Sequence, residues 1–271
     1  MSIFDLKINE LDQGNRPTPE SFQGYLKRIN WSKKISTAEC ISIQTFEDLR
    51  PELKEASYMV LRLGKSSDSK GTQFSLIKTD NWSDYFLFNS VPTNDVTEHR
   101  FENDPNYESF RVINKLTESS FINLLLHSKV LLRHLNFDSD SPIIPATSNS
   151  THSFIVKPHS KSDIEWLHDN GQVEVDNIFT AKRGGENILC IIEAKSNKSN
   201  SLAKHKLVYP ILSIQPNLSK EYKIIPLYIR INKEKNKISF QVIECSFPQD
   251  INEQFINKLT PVKVTNFSVV L

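Results

Sequence analysis

Two β-strand patterns joined by a glycine pair constrain the fold of this chain more than any other feature of its sequence. Residues 173–180 and 187–195 are rich in aliphatic side chains, and the segment 181–186 between them contains Gly184-Gly185. Adjacent glycines suit a tight turn between antiparallel strands, because such turns require positive φ angles. The sequence therefore predicts a β-hairpin.

Acidic side chains and one lysine occupy matching positions on this hairpin. Because side chains alternate between the faces of a strand, Glu174 and Asp176 project together, and so do Glu193 and Lys195. Charged groups at the margin of an apolar strand pair are costly to bury unless something compensates them. A divalent metal is a natural compensator, since carboxylates and the backbone carbonyl of Ala194 offer the oxygen ligands that Mg²⁺ prefers.

The pattern has an open structural alternative, because an acid two residues before a lysine is weakly specific. It occurs five times here, at Asp5–Lys7, Glu52–Lys54, Asp68–Lys70, Glu193–Lys195 and Glu221–Lys223. Only the Glu193 copy ends a strongly apolar strand and has a hairpin partner that carries a suitably facing aspartate. An ion pair at a strand end is the other interpretation of these residues.

Length and composition bound the class of protein. The 271 residues allow one large domain or two modest ones, and 38% hydrophobic with 24% charged residues is typical of a globular protein. No apolar run is long enough to cross a membrane, and the N-terminus lacks the pattern of a secretory signal. The scattered cysteines, Cys40, Cys190 and Cys245, are expected to be buried, reduced thiols in a cytoplasmic protein.

Charge alone does not indicate a nucleic-acid partner, because the net charge is only +1. Basic residues are nevertheless concentrated between positions 182 and 206. The candidates for contact with DNA phosphates in this stripe are Lys182, Arg183, Lys198, His205 and Lys206. A solvated face is the alternative interpretation of such a stripe.

Helix and strand patterns surround the hairpin. A helix is predicted over 117–135, with Thr117 as its cap, and a second over 202–212, which Pro210 would kink or end. Near the N-terminus, Thr18 and Pro19 predict the start of another helix. Strands are predicted at 59–63, 74–77, 82–88, 153–157, 222–231 and 237–245, and a polar connection is predicted at 138–149.

With these elements in order, the chain resembles the PD-(D/E)xK nuclease superfamily, whose core has the order αβββαβ. The resemblance covers about residues 117–231, and Glu174-Val175-Asp176 followed by Glu193-Ala194-Lys195 matches the motif. Val175 stands where the proline of the motif's name would be. Residues 206–210 also resemble a segment of some type II restriction endonucleases, in which a glutamine often stands at the position of Lys206.

The resemblance implies Mg²⁺-dependent cleavage of DNA that leaves 5′-phosphate ends, and Mn²⁺ is expected to substitute for Mg²⁺. Asp176, Glu193 and the Ala194 carbonyl would bind the metal, and Lys195 would assist the attacking water. Glu174 and Glu118 are candidate supporting acids. The simpler role for Glu118 is a favourable interaction with the N-terminus of its helix.

The expected fold class is α/β (α+β), with a restriction-endonuclease-like αβββαβ core whose mixed central sheet is flanked by helices. Residues 1–115 are expected to form an α/β region for DNA recognition, and residues 116–271 the catalytic domain. The expected substrate is double-stranded DNA cut at a specific site by a homodimer, since a palindromic site matches two-fold symmetry. The resemblance also implies a companion DNA methyltransferase.

Three rival functions remain open. The chain could be a repair or transposition nuclease on the same core, or a DNA-binding module without catalytic activity. It could also be a structural protein with a salt-bridged strand end. The absence of ATPase motifs favours a stand-alone restriction enzyme over the repair and transposition nucleases.

Overall fold

Helices and strands alternate along the chain in the computed structural model, which describes residues 2–66, 71–88, 96–113, 115–138, 143–196 and 201–271. The helices are α1 (Asp5–Asp12), α2 (Phe22–Arg28), α3 (Thr37–Ile41), α4 (Pro51–Glu55), α5 (Glu108–Val112), α6 (Glu118–His127), α7 (Val130–His134) and α8 (His205–Ile214). The strands are β1 (Glu20–Ser21), β2 (Tyr58–Lys65), β3 (Thr72–Lys78), β4 (Phe86–Phe88), β5 (Thr97–Arg100), β6 (Ala146–Val156), β7 (Trp166–Arg183), β8 (Glu186–Lys195), β9 (Ser201–Ala203), β10 (Tyr222–Glu234), β11 (Lys237–Ser246) and β12 (Thr260–Val270).

One mixed sheet organises the described part of the chain. Its strand order is β1-β3-β2-β7-β8-β10-β11-β12-β5, and β6 pairs with β7 outside this path. The pairing is antiparallel between β7 and β8 and parallel between β8 and β10. A parallel neighbour requires a crossover, and α8 lies in the connection that supplies it. A separate two-stranded sheet contains β4 and β9.

The predicted hairpin is confirmed as β7 and β8. Arg183 pairs with Glu186, so the connecting turn consists of Gly184 and Gly185. Their φ angles are 57° and 82°, in the left-handed region that favours glycine. The strands are longer than the sequence pattern predicts, because β7 already begins at Trp166.

Apolar layers cover both faces of the sheet. On β8, Leu189 and Ile191 belong to one buried cluster, whereas Cys190 and Ile192 belong to the other. The first cluster includes α8, and the second includes α6 and α7. This confirms a mixed α/β fold with a large mixed sheet flanked by helices. The three cysteines are free and buried.

The helix predicted over 117–135 is interrupted, which corrects that prediction. Helix α6 ends at His127 and α7 starts at Val130, because Lys129 adopts a left-handed conformation with φ 58°. The two pieces still bury one apolar surface, because residues of both helices belong to the same buried cluster.

Other boundaries also differ from the predictions. Helix α2 is capped by Ser21, which accepts the N–H of Gly24, and not by Thr18. Residues 202 and 203, which were predicted to start the second helix, lie in β9. Helix α8 continues through Pro210, and most of its residues are buried. Only the end of the segment 82–88 is a strand, since Trp82–Asp84 form a 3-10 turn.

Strand β12 has no counterpart among the predictions. Its first half, residues 260–264, is exposed and contains Pro261, which disfavours a strand. In the described residues, no helix is long and apolar enough to span a membrane.

A close glycine contact joins the N-terminal strands to the main sheet. Gly64 of β2 pairs with Asp169 of β7, and a Cβ atom on Gly171 would lie 2.6 Å from the Cα atom of Gly64. Only glycine permits this approach. The larger apolar cluster contains residues from both sides of position 115. The division of the chain into domains 1–115 and 116–271 stays a prediction.

Candidate active site

An irregularity in β7 places Asp176 at the point where β7 and β8 separate. The β6 segment from Ala146 to Ser148 faces the β7 segment from Ile178 to Val175, so β7 carries one extra residue there. Pairing between β7 and β8 begins only at Asn177. Extra residues of this kind change the direction of a side chain, and they are frequent next to active sites.

The Asp176 carboxylate replaces part of the missing strand pairing. Its Oδ2 atom accepts the backbone N–H of Ala194 at 2.8 Å. This hydrogen bond holds Asp176 against the segment that contains Glu193 and Lys195. The alternation on β7 is as predicted, since Val173 and Val175 are buried and Glu174 is exposed.

Glu193 is an acid buried in the sheet, with only 2% of its surface exposed. Its Oε1 atom lies 2.8 Å from Lys195 Nζ and 3.8 Å from Lys206 Nζ. Burial raises the pKa of Glu193 and the Asp176 charge raises it further, while the two lysines act in the opposite direction. The net pKa lies above the usual range, so the environment lacks enough positive charge to stabilise this carboxylate fully.

Lys195 is held between acids. Burial lowers the pKa of its ammonium group, but the charges of Glu193, Asp176 and Glu118 outweigh this effect and raise the pKa above its usual value. Lys195 is therefore protonated at neutral pH. A buried ammonium group at this point supplies a fixed positive charge.

Glu118 reaches the same site from the first turn of α6. Its Oε1 atom accepts the N–H of Ser196 at 2.7 Å, and its Oε2 atom lies 3.8 Å from Lys195 Nζ. Thr117 caps the helix by accepting the N–H of Ser120, as predicted. Glu118 thus contacts the end of β8 in addition to lying at a helix N-terminus.

A pocket of about 240 Å³ adjoins this group of charges. Lys206 connects the two, because it lines the pocket and also lies near Glu193. The other lining residues come from β7, α8 and the N-terminal region, and they are Ala38, Ser42, Ile43, Gln44, Arg62, His168, Gln172, Val173, Glu174, His205, Tyr209 and Pro210.

Two buried histidines in the pocket are neutral. Burial lowers the pKa of His205 to about 3 and that of His168 to about 4. His168 stacks on Phe154, and Tyr209 donates its hydroxyl hydrogen to the backbone oxygen of Arg62 at 3.1 Å. His205 therefore contributes an uncharged ring and not a positive charge at neutral pH.

Other candidate residues lie away from this site. Lys182 and Arg183 are at the hairpin turn, about 20 and 23 Å from Glu193 along β8 at the usual rise of a strand. Arg183 instead binds Glu244, with Nη1–Oε1 at 2.7 Å and Nη2–Oε2 at 3.1 Å. Lys198 lies outside the described residues. Glu174 lines the pocket and accepts a hydrogen bond from Gln172.

The candidate ligands for a hard cation at this site are oxygen atoms. The available donors are the carboxylates of Asp176 and Glu193 and the carbonyl of Ala194. A cation would offset the raised pKa of Glu193, which indicates an unmet need for positive charge. In the described ranges, no three or more His, Cys, Asp or Glu side chains are grouped to hold a metal ion, so a metal here would rely on a backbone oxygen or water as well.

Sequence reasoning did not identify Gln44, Arg62, His168 or Gln172 as residues of one pocket. Gln44 and Arg62 are more than a hundred positions from the motif. His168 lies within a strand pattern, and nothing in that pattern indicates that its side chain lines a pocket. No feature of the nearby sequence marks any of these four residues as part of the pocket. The contact between the N-terminal strands and β7 brings them together.

Comparison with known families gives one match. The model of a family described as a domain of unknown function, DUF6997, matches residues 83–268. This is more than half of the chain, so the protein belongs to this family. The matched range contains Glu118, Asp176, Glu193, Lys195 and Lys206. No match was found among curated proteins or solved structures.

Proposed function

We propose that this member of the DUF6997 family is a type II restriction endonuclease of the PD-(D/E)xK superfamily, which hydrolyses double-stranded DNA at a specific sequence with Mg²⁺. The observation that carries the proposal is the meeting of Asp176, Glu193 and Lys195 where β7 and β8 separate. An ion pair that served only stability would not require a second acid on the neighbouring strand.

The parts of the site match the needs of phosphodiester hydrolysis. Asp176, Glu193 and the Ala194 carbonyl would hold Mg²⁺, which when bound polarises the phosphate and lowers the pKa of a water ligand. Lys195 orients the attacking water and stabilises the charge that develops on the phosphate oxygens. Glu118 holds Lys195 in place through their 3.8 Å ion pair.

The surroundings of the site support a polyanionic substrate. Lys206 and Arg62 both line the pocket beside Glu193. A phosphate in the pocket would lie near these two cations, and Glu174 is the single acidic residue among the described lining residues. Positive groups that flank a metal site attract and position nucleic-acid backbones.

The proposal has consequences for partners and location. A palindromic target would be cut by a homodimer, one strand by each copy. A restriction role also requires a DNA methyltransferase that protects the host's own sites, and it places the enzyme in the cytoplasm.

The test is digestion of unmethylated phage DNA by the purified protein, with Mg²⁺ and with EDTA. We expect discrete fragments that carry 5′-phosphates and that form only with Mg²⁺. Asp176→Asn should abolish cleavage, because it removes the charge and keeps the shape. Glu221→Gln is the matched control, since Glu221 belongs to another acid-x-lysine pair and is exposed.

Each contrary outcome would support a different function. A smear of fragments would support a nonspecific or repair nuclease on the same core. Binding of DNA without cleavage would support a DNA-binding module that has no catalytic activity. Neither cleavage nor binding, with a loss of stability in the Asp176 variant, would support the structural ion pair.

A further inference from the structure

A second, larger groove continues from the pocket beside the candidate active site. It has a volume of about 840 Å³ and lies between the β2–β3 hairpin and the β6–β7 pair. Arg62 and Gln172 line both the pocket and the groove. A ligand that occupies the groove would therefore reach the residues next to Lys206 and Glu193.

The lining of this groove is polar and carries no acidic side chain among the described residues. Its two charged residues are Arg62 and Lys65. The others offer amides, hydroxyls or bare backbone, and they are Gly64, Ser66, Gly71, Thr72, Asn149, Ser150, Thr151, Asn170, Gly171 and Gln172. Such a surface fits a ligand that has many hydrogen-bonding groups and a negative charge.

Two amide side chains in the groove have a fixed orientation. Gln172 Nε2 donates to Asn149 Oδ1 at 2.9 Å and to Glu174 Oε1 at 3.1 Å. An ionised carboxylate only accepts hydrogen bonds, so Gln172 must direct its amide hydrogens toward Glu174. The Gln172 carbonyl remains an acceptor, and the Asn149 amide group remains a donor.

This arrangement leaves an acceptor on Gln172 and a donor on Asn149 at the surface, since both residues are exposed. Adenine presents the complementary pair at its major-groove edge, with a donor at N6 and an acceptor at N7. Guanine presents two acceptors there and cytosine presents a donor alone. The amide pair is thus matched to adenine better than to the other bases.

The floor of the groove brings strands β2 and β7 into close contact. A Cβ atom on Gly64 would lie 2.2 Å from the Asp169 carbonyl oxygen, and one on Gly171 would lie 2.4 Å from the His168 ring. Both glycines are buried, and their lack of a side chain lets β2 and β7 approach each other at this end of the groove.

We propose that this groove reads the DNA sequence and that Gln172 and Asn149 together recognise an adenine in the target site. The inference rests on the proposed function for its substrate and goes beyond it by naming the reading residues. Gln172 accepts a hydrogen from adenine N6, and Asn149 donates one to N7. Lys65 contacts the DNA backbone and adds affinity without sequence preference.

The test uses a pool of DNA duplexes with a randomised segment. The full chain is incubated with the pool and Mg²⁺, and the cleaved ends are sequenced to give the preferred site. The same pool is used for binding selection with Ca²⁺ in place of Mg²⁺. We expect at least one adenine position in the preferred site of the wild-type protein.

Variants then distinguish a loss of preference for the adenine from a loss of overall DNA affinity. Gln172→Ala and Asn149→Asp should each lower the preference for that adenine about tenfold, the usual effect of losing a base contact. Lys65→Ala should weaken binding to all sequences equally. Lys223→Ala is the control, since Lys223 is exposed and pairs with Glu186 far from the groove. Thermal unfolding of each variant shows that it has folded.

The outcomes distinguish this inference from the proposed function. An unchanged preference in Gln172→Ala and Asn149→Asp overturns the reading role, even if cleavage is normal. Selection of an adenine-containing site without any cleavage overturns the nuclease and supports the groove. Failure to select any sequence, in both cleavage and binding, overturns the reading role as well.

Discussion

The Asp176 carboxylate accepts the backbone N–H of Ala194 at 2.8 Å, just beyond the last paired residues of β7 and β8. A side chain thus completes the hydrogen bonding that the backbone of the separated strand no longer supplies. The same contact fixes the position of Glu193, which precedes Ala194. Asp176 therefore links the geometry of the sheet to the geometry of the candidate metal ligands.

The first prediction separates these two roles of Asp176. Asp176→Ala leaves the Ala194 N–H without its acceptor, so the free energy of unfolding should fall by about 1–3 kcal/mol. Asp176→Asn keeps an acceptor and should stay within about 1 kcal/mol of the wild type. Urea denaturation in EDTA measures both values. Equal destabilisation by the two variants would contradict the role of the hydrogen bond.

The second prediction concerns the buried pair of Glu193 and Lys195. Lys195→Met removes the ammonium group at 2.8 Å, and Lys206, at 3.8 Å, is then the only cation near the Glu193 carboxylate among the described residues. The free energy of unfolding should fall by about 3 kcal/mol, as is usual when one partner of a buried pair is lost. The double variant Lys195→Met with Glu193→Gln should recover part of this loss. A double-mutant cycle without coupling would contradict the pair.

The third prediction distinguishes two basic residues of the same stripe. Arg183→Ala breaks the two contacts with Glu244 and a cation–π contact with Phe137, so it should destabilise the protein by about 1–3 kcal/mol. It should leave DNA cleavage per folded molecule unchanged. Lys206→Ala should instead reduce cleavage at least about tenfold, by analogy with the loss of a charged contact to phosphate. The reverse pattern would place the substrate at the hairpin turn.

The fourth prediction concerns acid stability. Burial lowers the pKa of His168 to about 4, whereas an unfolded histidine titrates near 6.5. Between these pH values the unfolded chain binds more protons, so the free energy of unfolding falls as the pH falls. His168→Phe keeps the stacking on Phe154 and removes the titration, so it should flatten this fall.

Denaturation with urea at several pH values between 7 and 4 measures the effect. His127→Gln is the control, because His127 is exposed on α6. A parallel fall with pH in the wild type and in His168→Phe would show that another group governs acid stability.

The hairpin and its charged residues could be predicted from the sequence, because strand alternation and a glycine turn are local. Val173 and Val175 mark the buried face, and Gly184-Gly185 mark the turn. The irregularity beside Asp176 could not be predicted in this way. It depends on how β6 pairs with β7, and the sequence of β7 does not encode that register by itself.

The remaining differences arise from contacts distant in sequence. Residues 260–264 are exposed and include Pro261, which disfavours a strand, yet β12 forms because β11 supplies a pairing partner. The break at Lys129 lies between two apolar helices, where periodicity continues across it. Arg62 reaches the pocket only because Gly64 and Gly171 allow β2 to approach β7. Long-range packing overrides local preference at each of these positions.

On the proposed function, strand β7 sets the distance between the base that is read and the bond that is cut, because it carries both Gln172 and Asp176. Four residues of strand span about 13 Å. One DNA strand rises about 3.4 Å per nucleotide, so this length corresponds to about four nucleotides. On the proposed function, the offset between recognition and cleavage is therefore set by a rigid strand. Substitutions in the groove would change which base is read and leave that offset constant.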